Sequence, residues 1–234
     1  MPEMKNALIV FAKQPIPGQV KTRLIPALSA EEAAALYTCM LTDTLAKSGT
    51  LQNVDRILFI TGGTESSSFF HEFFPGMPIL QQAGSDLGER MEAAFASVFS
   101  MGYQAAAIIG TDSPDLPTAF IKEAFLMLEE GRANAVFGPS EDGGYYLLAM
   151  RRLHNDLFTG IHWSTGLVLR QSLEKAEKMG LMVVQLPVWH DVDTIEDMAR
   201  PELRDCNNCA PLTRQYIISL LFTHEKNPEG LEDL

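Results

Sequence analysis

Long apolar runs are missing from this sequence. No stretch approaches the roughly 18 residues that a membrane-spanning helix needs. The apolar run at residues 7–12 is too short for the core of a secretory leader and is followed at once by Lys13 and Pro15. Cysteine is scarce, 3 in 234 residues, which excludes a scaffold built on disulfides. Cys206 and Cys209 have the spacing of half a zinc site, yet no second such pair completes one, so they read as ordinary thiols near a helix start. Positive charge is scarce as well. With 18 Lys and Arg against 30 Asp and Glu, the net charge of −12 excludes nucleic acid and anionic membranes as partners. The Walker A loop and the G-x-S-x-G elbow are both absent. The five histidines are scattered, and His162 and His190 read as structural. A cytoplasmic protein is expected.

What is present is ordinary globular composition, 46% hydrophobic and 21% charged, in a length that suits one α/β domain over residues 1–224 with a polar tail at 225–234. Short apolar runs alternate with helical patterns, which predicts a three-layer fold: a mainly parallel sheet with helices on both faces. Strands are expected at residues 7–11, 56–61, 78–81, 105–110, 135–138, 145–150 and 182–186. Helices are expected at 29–47, where Ser29 and Glu32 form a capping box, and at 87–101, 118–130 (capped by Thr118), 165–179 and from 195.

Polar clusters follow the strands, where open α/β sheets bind their ligands. The loop after the first strand gathers Lys13, Lys21 and Arg23 within 11 positions of an acidic chain, with Gly18 to permit a turn. Phosphates need that combination of positive charge and flexible backbone. Asp112 stands just past the apolar run at 105–110, where a carboxylate can hold a hard cation and leave its other positions to water and phosphate, and Asp115 lies close enough to support it. Asp142, Gly143 and Gly144 fall between two strands; the glycines suit either a hairpin turn or a wall that a substrate approaches. Asp191 and Asp193 are spaced to point to one side of an extended segment, and Asp193 offers a second metal ligand. Thr194 with Asp197 reads as a helix start.

These motifs carry a resemblance. Residues 17–24 (Pro-Gly-Gln-Val-Lys-Thr-Arg-Leu), 86–90 (Asp-Leu-Gly-Glu-Arg), 110–116 (Gly-Thr-Asp-Ser-Pro-Asp-Leu), 138–146, Trp163-Ser-Thr165 and Asp191-Val-Asp-Thr194 together resemble the glycosyltransferase-like DUF2064 family. That family is similar to phospholactate guanylyltransferases and, more distantly, to molybdenum-cofactor guanylyltransferases. The loop after the first strand departs from the glycine-rich L-A-A-G-x-G-x-R-M of many such enzymes; it is closer to the glycine-poor loop of the phospholactate enzymes. The resemblance implies a nucleotide-diphospho-sugar transferase (GT-A-like) fold and Mg²⁺, with Mn²⁺ as an alternative, on Asp112 and Asp193. It implies catalytic roles for Lys21, Arg23, Asp112 and Asp142. It implies substrate contacts on the motif positions Lys13, Gly18, Thr22, Leu87, Gly88, Arg90, Thr111, Gly143, Gly144 and Thr165. A nucleotide donor and a small-molecule acceptor are the expected partners of a monomer or homodimer. Three activities fit: nucleotidyl transfer from a nucleoside triphosphate to a small phosphorylated acceptor, glycosyl transfer from a nucleoside diphosphate sugar, or nucleotide binding without catalysis.

Overall fold

The computed structural model of the chain describes residues 5–25, 27–205 and 208–225, the last four by backbone alone. Cys206 and all but the first residue of the polar tail lie outside the described residues. Two compact units emerge, one from residues up to Gln14, Thr50–Gly110 and Pro117–His190, the other from Pro15–Gly49, Thr111–Leu116 and the chain from Asp191. Among the described residues no helix is long and apolar enough to cross a membrane.

The first unit holds the sheet. Its strands are β1 (Asn6–Ala12), β2 (Val54–Ile60), β3 (Ile79–Gln81), β4 (Ala105–Ile109), β5 (Ala135–Pro139), β6 (Tyr145–Met150) and β7 (Val183–Gln185), in the order β3-β2-β1-β4-β6-β5-β7. All neighbours are parallel except β6, which runs antiparallel to both β4 and β5. Ile9 of β1 faces Ile57 on one side and Ile108 on the other. β1 and β4 are almost wholly apolar because both of their faces are covered, the pattern of buried parallel strands. On one face Ile9, Phe59, Ile108, Phe137 and Leu148 pack with Met91, Phe95 and Val98 of α3 (Leu87–Ser100) and with Ala176 of α5 (Val168–Lys178). On the other lies α4 (Thr118–Glu129), whose Phe120 ring is 6.3 Å from that of Tyr146. Tyr145, its neighbour, points to the α3 side and donates to Met91 Sδ. The strand order thus gives the expected mainly parallel sheet with helices on both faces. It also has a reversal of strand order between β1 and β4, and open α/β sheets in general bind ligands outside the carboxyl ends of the strands at such a point.

Some boundaries differ from expectation. α2 (Thr64–Phe73) was not expected. Thr118 is not a cap: it is the first residue of α4, and the cap position belongs to Pro117, with no side-chain bond. α5 begins at Val168 instead of 165, because Ser164 takes a left-handed conformation (φ 61) and Thr165 turns its hydroxyl back to His162 O at 2.7 Å.

The second unit is helical. Its long helix α1 (Ala30–Ser48) starts with the expected capping box, Ser29 Oγ accepting from Glu32 N and Glu32 accepting from Ser29 N. α6 (Ile195–Met198) opens with the second expected box, Thr194 with Asp197. α7 (Pro201–Arg204) and α8 (Pro211–Glu225) complete it. Leu28, Leu36, Met40, Leu203, Ile217 and Leu220 form its core. Asp43, 3% exposed on α1, accepts from the N–H groups of Leu212 and Thr213 and from the Thr213 hydroxyl, and so joins α1 to the start of α8.

Candidate functional site

The loop that follows β1 in the chain turns at Gly18 (φ 77), where Gln19 N donates to Ile16 O. Two apolar residues then pin it. Val20 packs with Ala34 and Tyr37, and Leu24 enters the helical core with no exposure. Between them Lys21 takes a left-handed conformation (φ 48, ψ 41) at the head of a single 3-10 turn, Thr22–Leu24. A non-glycine residue there is uncommon and is sustained by its surroundings.

Those surroundings are two carboxylates. Lys21 Nζ donates to Asp112 Oδ1 at 2.5 Å and to Asp193 Oδ1 at 2.9 Å, and its side chain is 3% exposed. Burial pushes the ammonium down, but the charges of Asp112 and Asp193 and its hydrogen bonds to both outweigh that and hold it above the ordinary lysine value. Arg23 lies 3.6 Å from Asp193 Oδ2 with its side chain 74% exposed. Residues 91 and 172 positions from Lys21 are thus brought onto one cation.

The Asp112 loop is held at every residue. Thr111 donates its hydroxyl to Tyr37 OH, Val192 N donates to Asp112 O, Ser113 donates to Asp191 at 2.6 Å, and Lys47 Nζ donates to Pro114 O at 2.6 Å. Asp115 is 3% exposed and accepts from Asn208, while its carbonyl lies 3.1 Å from Cys209 Sγ. Burial pushes Lys47 down to about 8, against the pull of Cys209, Asp115 and Asp43. Asp193 is fixed from its own backbone, for its N–H and that of Thr194 both donate to Asp197 Oδ2. Burial raises that carboxyl, but these donors, with Arg200, hold it below its usual range. Asp191 and Asp193, expected on one side, divide their partners: Asp191 serves Ser113 and Asp193 serves Lys21. Sequence reasoning missed Tyr37, Ser113 and Lys47. Lys47 left a trace, since Asp43 and Lys47 break an otherwise apolar stripe of α1 at helical spacing.

The remaining expected residues belong to the sheet unit. Asp142, Gly143 and Gly144 make the β5–β6 hairpin turn: Gly143 N donates to Ser140 O, and Asp142 Oδ1 accepts from Gly144 N at 2.8 Å. Gly143 has φ 86, and the Gly166 backbone fills the space a Cβ would need. Gly88 is equally constrained, for a Cβ there would meet Trp163 Nε1 at 2.5 Å. Asp86 caps α3 through Glu89 N, Leu87 is 43% exposed, and Arg90 donates to Gly84 O. Lys13 is exposed directly after β1.

No group of three or more His, Cys, Asp and Glu capable of holding a metal exists among the described residues. Two carboxylates converging on one cation do fit Mg²⁺, which takes one or two carboxylates and completes its shell with water and phosphate. Both Oδ1 atoms touch the same nitrogen, so their separation cannot exceed the two hydrogen-bond lengths combined. An ion at ~2.1 Å from each ligand spans at most about 4.2 Å, so the two oxygens would have to lie about 1 Å closer than that upper bound to share it.

Residues 44–165 match the family described as "Uncharacterized protein conserved in bacteria (DUF2064)". A solved structure from Desulfovibrio desulfuricans, described as a nucleotide-diphospho-sugar transferase, is 33% identical, with 91% of this chain and 98% of that one covered and a TM-score of 0.81. A cytidylyltransferase from Leptospira borgpetersenii shares the fold at 12% identity, covering 99% and 98%, with a TM-score of 0.56. So does a Mycobacterium tuberculosis protein in complex with manganese, at 16% identity, 83% and 96% coverage and a TM-score of 0.51. No curated protein matches the chain.

Proposed function

The chain belongs to the DUF2064 family, and from that premise we propose that it is a Mg²⁺-dependent transferase that uses a nucleotide-activated donor, transferring a nucleotidyl group from a nucleoside triphosphate to a small phosphorylated acceptor. The observation that carries this reading is the convergence of Asp112 and Asp193 on one cation, with Arg23 beside them. Asp112 and Asp193 would hold the ion, Mg²⁺ or Mn²⁺; manganese is the ion of the Mycobacterium tuberculosis relative's complex. When bound there, the ion would neutralise charge developing on phosphate oxygens. Lys21 and Arg23 supply positive charge to the leaving pyrophosphate in a protein whose net charge of −12 otherwise repels anions. Transfer of this kind asks mainly for positioning and electrostatics, and the hydrogen bonds along residues 111–115 hold the Asp112 backbone in place. The same reading makes the protein cytoplasmic and a monomer or homodimer.

Glycosyl transfer is the second reading, favoured by the description of the Desulfovibrio desulfuricans relative. Asp142 is then the acceptor base, although one of its oxygens already accepts from Gly144 N. Thermal shift with Mg²⁺ and a panel of nucleoside triphosphates and nucleoside diphosphate sugars ranks the donors. A ligand at 100 times its Kd raises stability by about 2.7 kcal/mol. Pyrophosphate release from a triphosphate supports nucleotidyl transfer, and diphosphate release from a sugar donor replaces it with sugar transfer. Binding with no turnover of any donor overturns both readings in favour of a nucleotide-sensing module.

A further inference from the structure

We propose that Lys21 and a divalent cation compete for Asp112 and Asp193, so that Lys21 sets the metal affinity and links metal binding to the arrival of phosphate. The inference rests on the metal reading above and concerns what this chain's own lysine does there.

Lys21 is the innermost member of the group, 3% exposed between carboxylates that are 51% and 37% exposed. Its ammonium lies at 2.5 and 2.9 Å from the two Oδ1 atoms, the position that an ion bridging them would need. Two cations cannot both fill it. The backbone of Lys21 is fixed, with Val20 and Leu24 buried on either side and a left-handed conformation between them. Only the side chain is left to move, and a lysine stem has the rotatable bonds to do so. An ammonium turned out of that pocket needs a new anion. Phosphate is the ligand that supplies one.

Charge leads to the same conclusion. Asp112, Asp193, Lys21 and Arg23 together are neutral. A divalent ion added to them leaves two positive charges in excess, which phosphate oxygens balance. Metal and phosphate therefore favour one another, and by linkage each raises the affinity for the other by the same factor.

The test measures Mn²⁺ alone, by electron paramagnetic resonance, on the wild type, Lys21→Met and Asp112→Asn. Removing the competitor should tighten Mn²⁺ binding by about fivefold or more in Lys21→Met, while Asp112→Asn loses it. Equal or weaker binding by a folded Lys21→Met overturns the competition. Inorganic phosphate should raise the Mn²⁺ affinity of the wild type more than that of Lys21→Met, and equal enhancement overturns the link. Should Lys21→Met fail to fold, amine acetylation of the wild type read by mass spectrometry gives an independent answer. Lys21 should be protected without Mn²⁺ and labelled in its presence. Protection that persists while Mn²⁺ is bound sinks the competition alone. Absence of Mn²⁺ binding in the wild type, or its retention in Asp112→Asn, sinks the metal reading and this inference with it.

Discussion

Arg23 is tied to one partner only loosely, 3.6 Å from Asp193 with most of its side chain in solvent, and a surface pair of that kind contributes about 0–1 kcal/mol. Its removal should scarcely alter the melting temperature. If it grips phosphate, Arg23→Ala instead loses a charge-assisted hydrogen bond of about 1.5–3 kcal/mol. Titration calorimetry should then show triphosphate affinity reduced about tenfold or more, and diphosphate affinity reduced less; equal reductions favour sugar transfer. Gly88 makes a contrasting prediction. Alanine there drives a methyl group into the Trp163 indole, so Gly88→Ala should cost about 1–3 kcal/mol in urea unfolding. A Trp163→Ala background should shrink that loss, and an unchanged loss would show that the indole is not what excludes the methyl. At this scale the sequence picked out charged residues one by one and missed their relations. Lys21, Asp112 and Asp193 stood out as lone charges past strand ends, but nothing in their spacing says that Lys21 turns to the carboxylates. That choice goes with the burial of Val20 and Leu24 in two separate apolar clusters, which only the folded chain decides.

Helix ends were legible where a local bond makes them. Both expected capping boxes are present because each is closed within four residues. Ser29→Ala should therefore cost about 1 kcal/mol. Asp43→Ala should cost more, about 2–4 kcal/mol, since it leaves two backbone N–H groups and a hydroxyl of α8 without their buried acceptor. Chemical denaturation of the two variants side by side checks the order, and a larger loss for Ser29→Ala would refute it. Where ends rest on distant partners the sequence failed. α2 contains three consecutive serines, poor helix formers, and is held instead by Phe70, which is fully buried, and by Phe69 stacked on Phe73 one turn later at 4.4 Å. Thr165 looks like a helix start until its hydroxyl is seen bonded backwards to His162.

For the whole molecule, acid is the condition to examine. Burial, with Arg152 nearby, pushes His154 below its ordinary value of 6.5, and its Nε2 is buried with no hydrogen-bond partner among the described residues. The unfolded chain then binds this proton at higher pH than the folded one. The contribution of His154 to stability should be intact above pH 6.5, decline as pH falls below it, and level off beneath the folded value. Comparing melting temperatures at pH 7.5 and 5.5, about a unit either side of the ordinary value, should show a smaller drop in His154→Gln than in the parent. Identical drops would assign the acid sensitivity to other groups. The sheet order has a further consequence, for what happens when many copies are crowded together. Its two border strands, β3 and β7, are three residues each, whereas β1 and β2 inside are seven. A foreign strand meeting either margin finds too few open backbone groups to lengthen the ladder, so edge-to-edge aggregation has little template from which to grow.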